Sequence, residues 1–210
     1  YRPNWCHSVA LELIWWGVPC VIIIVLGIIT WITSHSLDPY RPLDKGGKPM
    51  VIQAVSLQWK WLFIYPEQGI ATVNQIDIPR GRQVEFQLTS VAPMSAFFIP
   101  QLSSQIYTMA GMRTRLHVYS DHEGTYRGLN AQYNGEGFSD MEFTVNVVSP
   151  SAFSAWVNKV KSSNSQLTLP MYQQLVKPSI AAPVSYYSAV MPGLFKRIMM
   201  SYMMPNMRLS

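Results

Sequence analysis

The spacing of apolar residues changes twice along this chain, and the changes divide it into three parts. From Leu13 to Ser34 (LIWWGVPCVIIIVLGIITWITS) 22 residues carry no formal charge. A helix rises 1.5 Å per residue, so about 20 apolar residues cross a hydrocarbon core of about 30 Å. Trp15, Trp16 and Trp31 stand near the ends of the run, where amphipathic rings favour the membrane interface. Pro19 removes one helical hydrogen bond, a loss that neighbouring membrane helices can make good. A cleaved secretory signal fits poorly: the run is too long, no basic segment precedes it and no small-residue cleavage site follows. A membrane-spanning helix is therefore predicted within residues 1–35.

Residues 36–50 (SLDPYRPLDKGGKPM) read as a connector rich in Pro, Gly and Asp. The period then becomes two. Val84, Phe86 and Leu88 alternate with Glu85, Gln87 and Thr89, and Met141, Phe143, Val145 and Val147 alternate with Glu142, Thr144 and Asn146. Leu116 and Val118 alternate in the same way with Arg115, His117 and Tyr119. Turn signals at PEQG (66–69), PRG (79–81), HEG (122–124) and NGEG (134–137) separate the runs. Short alternating strands at this spacing predict a β-sandwich or barrel over 51–149. From 150 the period becomes helical. Ser149 is placed to cap, Pro150 to open the helix, and Ala152, Phe153, Trp156, Val157 and Val160 follow on one face. A second short helix is predicted at 169–176. The end of the tail, 150–210, is rich in Met, a pattern that serves Cu(I) capture or, more commonly, packing.

Charge sharpens this division. Residues 51–150 carry six Lys or Arg and eight Asp or Glu, whereas 151–210 carry six Lys or Arg and no acid, so the basic balance belongs to the tail. Charges this sparse on a tethered chain exclude nucleic acid as a natural partner. The near-neutral flanks of the apolar helix leave its orientation open under the positive-inside rule. Cys6 and Cys20 are the only cysteines. Fourteen helical residues would separate them by about 21 Å, too far for a disulfide.

Candidate chemistry is thin. His7, His35, His117 and His122 form no HxH or HxxxH pair. No nucleophile elbow, phosphate loop or Ser/His/Asp set is present. Three features remain. QWKWLFIYP (58–66) puts Trp59, Trp61, Phe63 and Tyr65 on one face of a strand and Lys60, Leu62 and Ile64 on the other. It reads either as a core strand with one side docked on another subunit, or as an electron path or docking face. Glu12 lies where the helix begins, a position that the helix dipole favours and that also marks proton routes. The loop NAQYNGEGFSDM (130–141) has two glycines, Gly135 and Gly137, and small polar side chains able to converge.

Taken together, QWKWLFIYPEQGIATVNQI, FFIPQLSSQIYTMAGMRTRLHVYS, YNGEGFSDMEF and HSVALELIWWGVPCVIII resemble subunit II of the haem–copper terminal oxidases, most closely those of the cytochrome bo-type ubiquinol oxidases. The resemblance implies a cupredoxin-like β-barrel or sandwich in the periplasm, anchored in the bacterial inner membrane, with a helical C-terminal tail. It implies that the helix here is the second of a pair. A first helix and a lipoprotein signal are accordingly expected upstream of Tyr1. In cytochrome c oxidases the corresponding loop holds the dinuclear copper A centre. Setting Met141 on that pattern places Asn130 and Asn134 at the two cysteines, Gln132 at the glutamate, Phe138 at the loop histidine and Ser95 at the other histidine. A cupredoxin fold without copper A is expected. The electron donor implied is a quinol, ubiquinol by closeness of resemblance, with menaquinol as the alternative. A stand-alone binding module for copper delivery or sensing is the other reading. Haems and a copper ion are expected in a partner subunit I, none in this chain, with subunits III and IV and membrane lipid as further partners and no cytochrome c docking. Glu12 matches a family glutamate near the entrance of a proton channel. Trp59 matches a tryptophan that passes electrons to copper A, a role in doubt once the copper is gone.

Overall fold

The computed structural model describes residues 3, 7–38, 40, 41, 43, 47–91 and 93–203. Two compact units result, Tyr1–Arg41 and Pro42–Ser210. The first contains helix α1, Val9–Ser36, 28 residues of which none is buried within the chain. It is long and apolar enough to cross a membrane, and an exposed helix that is apolar all round needs an apolar surrounding. Its polar end is satisfied locally: Thr33 Oγ1 donates to the Ile29 carbonyl (2.8 Å) and Ser34 Oγ to that of Thr30 (2.7 Å). Cys20 is exposed on α1; Cys6 lies outside the described residues, as do Met204, Met207 and Arg208.

The second unit runs β1 Met50–Leu57, β2 Lys60–Tyr65, β3 Ile70–Val73, β4 Gln75–Pro79, β5 Val84–Ser90, β6 Ser95–Phe98, β7 Ile106–Thr108, β8 Thr114–Val118, β9 Gly124–Asn130 and β10 Glu142–Val148. The tail continues as α2 Pro150–Lys161, β11 Gln166–Leu167, α3 Leu169–Val176, β12 Ser185–Tyr187, β13 Ala189–Val190 and α4 Leu194–Met203. Six strands form one sheet in the order β12-β3-β2-β1-β5-β8 and five form a second in the order β4-β10-β9-β6-β7. β1 and β5 pair in parallel, as do β4 and β10. The two inner faces enclose an aromatic core. Trp61 meets Phe97 edge-on at 5.2 Å between ring centroids, Phe97 stacks on Phe143 at 4.9 Å, and Phe63 lies 5.2 Å from Phe143. Buried rings in such geometries add about 0.5–1.5 kcal/mol per pair beyond their area.

β2 shows why the tail belongs to the same unit. All six of its residues are buried. Trp61, Phe63 and Tyr65 face the aromatic core, while Leu62 and Ile64 join a second cluster with Tyr172, Leu194, Phe195 and Ile198. The side of this strand expected to dock on another subunit is therefore covered by the chain's own tail. β12 extends the six-stranded sheet beyond β3, so the tail adds strands as well as helices. Trp59 departs from the expected strand face. It occupies the two-residue turn between β1 and β2 with φ +62°, which takes its side chain out of the alternation that holds Trp61, Phe63 and Tyr65.

Lys60 on the tail side is 3% exposed. Its Nζ donates to the Lys177 carbonyl (2.8 Å) and to Ser179 Oγ, tying the α3–β12 segment to the hairpin. Burial lowers its pKa from the usual lysine range. α2 begins as its sequence predicts, with Ser149 Oγ accepting from the Ala152 N–H at 3.2 Å and Pro150 in the first turn.

Across the second sheet Gly128 pairs with Phe143, and a Cβ at Gly128 would lie 2.1 Å from the phenyl ring. The ring occupies the space that the missing side chain leaves. Gly128→Val is expected to destabilise the detergent-solubilised chain by about 1–3 kcal/mol through overpacking, measured as a lowered denaturation midpoint; an unchanged midpoint would contradict this account of the core.

Candidate functional site

The loop 130–141 leaves β9 and re-enters the sheet at β10, beside the first residue of β6. Alternation along β6 turns Ser95 inward and leaves it fully buried, next to Ser56 on β1, also fully buried. Two inward hydroxyls in a sheet interior need partners, because each unpaired polar group there costs about 1–3 kcal/mol. They pair with each other, and the loop adds a donor to Ser95. Ser56 Oγ donates to Ser95 Oγ (2.9 Å), and Asn134 Nδ2 donates to Ser95 Oγ (3.1 Å) and to the Met141 sulfur (3.2 Å). Ser95 Oγ in turn donates to the Pro93 carbonyl at 3.2 Å.

Asn130 performs a second task. Its Oδ1 accepts from the Ala96 N–H (2.8 Å) and the Gln132 N–H (3.1 Å), and its Nδ2 donates to the Gln132 carbonyl (2.7 Å). One side chain thus holds the root of the loop to β6 and sets its first turn. Trp59 closes the other side, its Nε1 donating to the Asn134 carbonyl at 3.3 Å. The indole lies so close to Gly137 that a Cβ there would stand 2.5 Å from it; glycine is required by this approach.

The structure therefore brings Ser95, Asn134 and Met141 into direct contact, with Asn130 one residue away along β6. Phe138 does not join them. Its ring packs on Tyr133 at 5.7 Å, at the start of a single 3-10 turn, Phe138–Asp140. Gln132 takes part through its backbone. Ser56 and the Trp59–Gly137 contact were not apparent in the sequence, because both arise from strand pairing between distant segments and leave no local pattern.

The donors gathered here are hydroxyl, amide and thioether groups, together with an Asn134 Oδ1 that has no protein partner. A dinuclear copper centre needs bridging thiolates and a blue-copper site needs a thiolate and two imidazoles. This set fits neither. Among the described residues no group of three or more His, Cys, Asp and Glu side chains is placed to hold a metal.

Other titratable groups are structural in their surroundings. Asp77 is 5% exposed and accepts at Oδ1 from Gln75 Nε2 (3.0 Å) and Asn146 Nδ2 (2.8 Å). Burial raises its pKa above the usual carboxylate range, against the two amide donors. Burial likewise lowers that of His117, whose Nδ1 lies 2.9 Å from Gln83 Nε2. In the first unit Glu12 sits in the first turn of α1, with Oε1 2.7 Å from His7 Nδ1.

Two packed sheets, one containing the parallel β1–β5 pair and the other the parallel β4–β10 pair, in a chain that also carries a long apolar helix, define a membrane-anchored cupredoxin-like protein. The crystal structure of the periplasmic domain of subunit II of cytochrome oxidase (CoxB) of Bradyrhizobium japonicum shares this fold, with a TM-score of 0.51 at 21% identity over 52% of this chain and 91% of that one. Residues 161–206 match the family model described as COX Aromatic Rich Motif. In the structure that stretch is the tail segment supplying Tyr172, Tyr187 and Phe195 to the outer cluster. A cytochrome bo(3) ubiquinol oxidase subunit 2 from Pseudomonas aeruginosa is 54% identical over 96% of this chain and 61% of its own length. One from Buchnera aphidicola (subsp. Baizongia pistaciae) is 44% identical over 93% of this chain and 69% of its own length. The chain belongs to this family, the second subunits of cytochrome bo(3)-type ubiquinol oxidases. It spans about two thirds of the length of these curated relatives.

Asn130→Ala is expected to leave the Ala96 and Gln132 N–H groups unpaired and to cost about 1–3 kcal/mol, read as earlier unfolding together with faster hydrogen exchange at these two amides. Unaltered protection there would refute the anchoring role.

Proposed function

We propose that this chain serves as subunit II of a proton-pumping terminal oxidase that passes electrons from ubiquinol to oxygen, without a copper A centre of its own. The observation that carries the reading is the contact of Ser95, Asn134 and Met141 at the loop, a set of hydroxyl, amide and thioether groups where a copper-dependent subunit needs thiolates and imidazoles. Asn130, Gln132 and Phe138 fill the remaining ligand-related positions with groups that do not bind copper. A chain that cannot take electrons from cytochrome c leaves quinol as the donor. The haems and the copper ion then belong to subunit I, and this subunit acts in assembly and structure. Subunits III and IV and membrane lipid complete its surroundings, with the β domain and tail on the periplasmic side of the bacterial inner membrane. Trp59 works as a lid packed on Gly137 rather than as an electron path. Glu12, paired with His7 at the start of α1, serves at the mouth of a proton channel in subunit I.

The test is oxygen uptake by the purified native complex with ubiquinol, menaquinol or reduced cytochrome c as donor, repeated with Glu12→Ala. Rapid uptake with ubiquinol alone, slowed several-fold in the variant at unchanged haem content, is expected. Uptake sustained by reduced cytochrome c would refute the donor assignment, preference for menaquinol would change the quinone, and undiminished turnover in the variant would remove Glu12 from the proton route.

A further inference from the structure

The tail covers only part of the outer face of the six-stranded sheet. Where α4 and the segment before it end their coverage, a groove of about 930 Å³ opens between that face and the tail. Its floor carries Gln53 on β1 and Gln87 on β5, which are paired neighbours in the parallel register. Its wall carries Met199 and Met203, and its rim carries Lys196 and Arg113. Lys196, Met199 and Met203 recur at spacings of three and four, so they form one stripe of α4. Leu194, Phe195 and Ile198, on the buried side of the same helix, hold it to the sheet.

Charge and polarity restrict what this groove accepts. No acidic side chain lines it, and among the described residues neither Lys196 nor Arg113 has a carboxylate within ion-pair distance. Glu85, two positions from Gln87 along β5, is engaged by Gln87 Nε2 at 2.9 Å and lies 3.8 Å from Arg115 Nε. Two unpaired cations at an apolar opening call for a carboxylate or phosphate. The floor decides between a lipid and a polypeptide. Acyl chains need a continuous apolar slot, whereas the Gln53 amide and the Gln87 amide oxygen, on adjacent strands, would be left desolvated beneath them. The same amides can hydrogen-bond the peptide groups of an extended segment. Methionine walls adapt to varied apolar side chains.

We propose that this groove receives an extended segment of another subunit of the same complex, one in which an Asp or Glu is flanked by apolar residues, the carboxylate seated between Lys196 and Arg113. The carboxylate meets two cations, the peptide groups meet Gln53 and Gln87, and the apolar neighbours pack on Met199 and Met203. This goes beyond the oxidase reading, which requires partner subunits but assigns no surface to them.

The experiment is zero-length carbodiimide coupling of the purified native complex, which joins a lysine amine directly to a contacting carboxylate, followed by peptide mass spectrometry. Coupling of Lys196 to an Asp or Glu of a different subunit is expected. The charge reversals Arg113→Glu and Lys196→Glu together should lower retention of this chain in the salt-washed complex about tenfold, while the circular dichroism of the purified variant chain remains that of the wild type. Coupling of Lys196 only within its own chain, or to nothing, in an intact complex overturns the proposal. So does phospholipid that co-purifies with the wild type and is lost in the double variant without any cross-link. Ubiquinol-dependent oxygen uptake by the same preparation keeps the two readings apart. An active oxidase with no intersubunit coupling at Lys196 refutes the groove alone, and a cross-linked complex that oxidises no ubiquinol refutes the oxidase reading alone.

Discussion

Burial of β2 on both faces is the constraint on which the rest of this unit depends. Fully burying a side chain such as Leu62 or Ile64 is worth about 1.5–3 kcal/mol, and that stabilisation exists only where something covers it. One face is closed by the second sheet through Trp61 and Phe63, the other by the tail through Tyr172, Phe195 and Ile198. The tail is thereby a third layer of the fold. The same burial accounts for Lys60, a side chain left 3% exposed, whose Nζ donates to the Lys177 carbonyl from within this layer.

Once the hairpin of β1 and β2 is fixed, so is the site. Its turn presents Trp59 to Gly137 and the Asn134 carbonyl, and the end of β1 presents Ser56 to Ser95. The loop meets this hydroxyl pair through Ser95 alone: the single Asn134 amide reaches Ser95 Oγ and the Met141 sulfur. In a copper-binding relative of this architecture the corresponding space would be closed by metal–thiolate bonds. Here ordinary hydrogen bonds close it, each worth about 0.5–1.5 kcal/mol net.

Much of this was legible from residue patterns, and the failures share a cause. The apolar run at 13–34, the two-residue alternation of β5, β8 and β10, and the capped start of α2 each express a local rule, and each is found in place. Trp59 was misplaced because alternation alone cannot reveal a two-residue turn that begins one position earlier than the aromatic pattern. β12 was missed because three residues, Ser185–Tyr187, carry too little periodicity to register as a strand; pairing with β3 defines them. The cover over Leu62 and Ile64 was left open, with another subunit as one reading of the strand, because strands buried on both faces read as continuous apolar runs and sequence does not say which chain supplies the cover. At the site, the family pattern marked Ser95, Asn134, Phe138 and Met141 only as ligand-related positions; the contacts of Asn134 with Ser95 and Met141, the turn of Phe138 to Tyr133 and the entry of Ser56 come from the fold.

The central claim is that the loop 130–141 is closed by its own polar side chains and offers copper no thiolate or imidazole. Reconstituting the purified chain with excess copper, removing the unbound metal, and measuring both copper content and the visible spectrum tests it most directly. The account predicts no stoichiometric copper at the loop and no thiolate-to-copper charge-transfer band. One or two tightly held copper ions per chain with an intense visible band would contradict it.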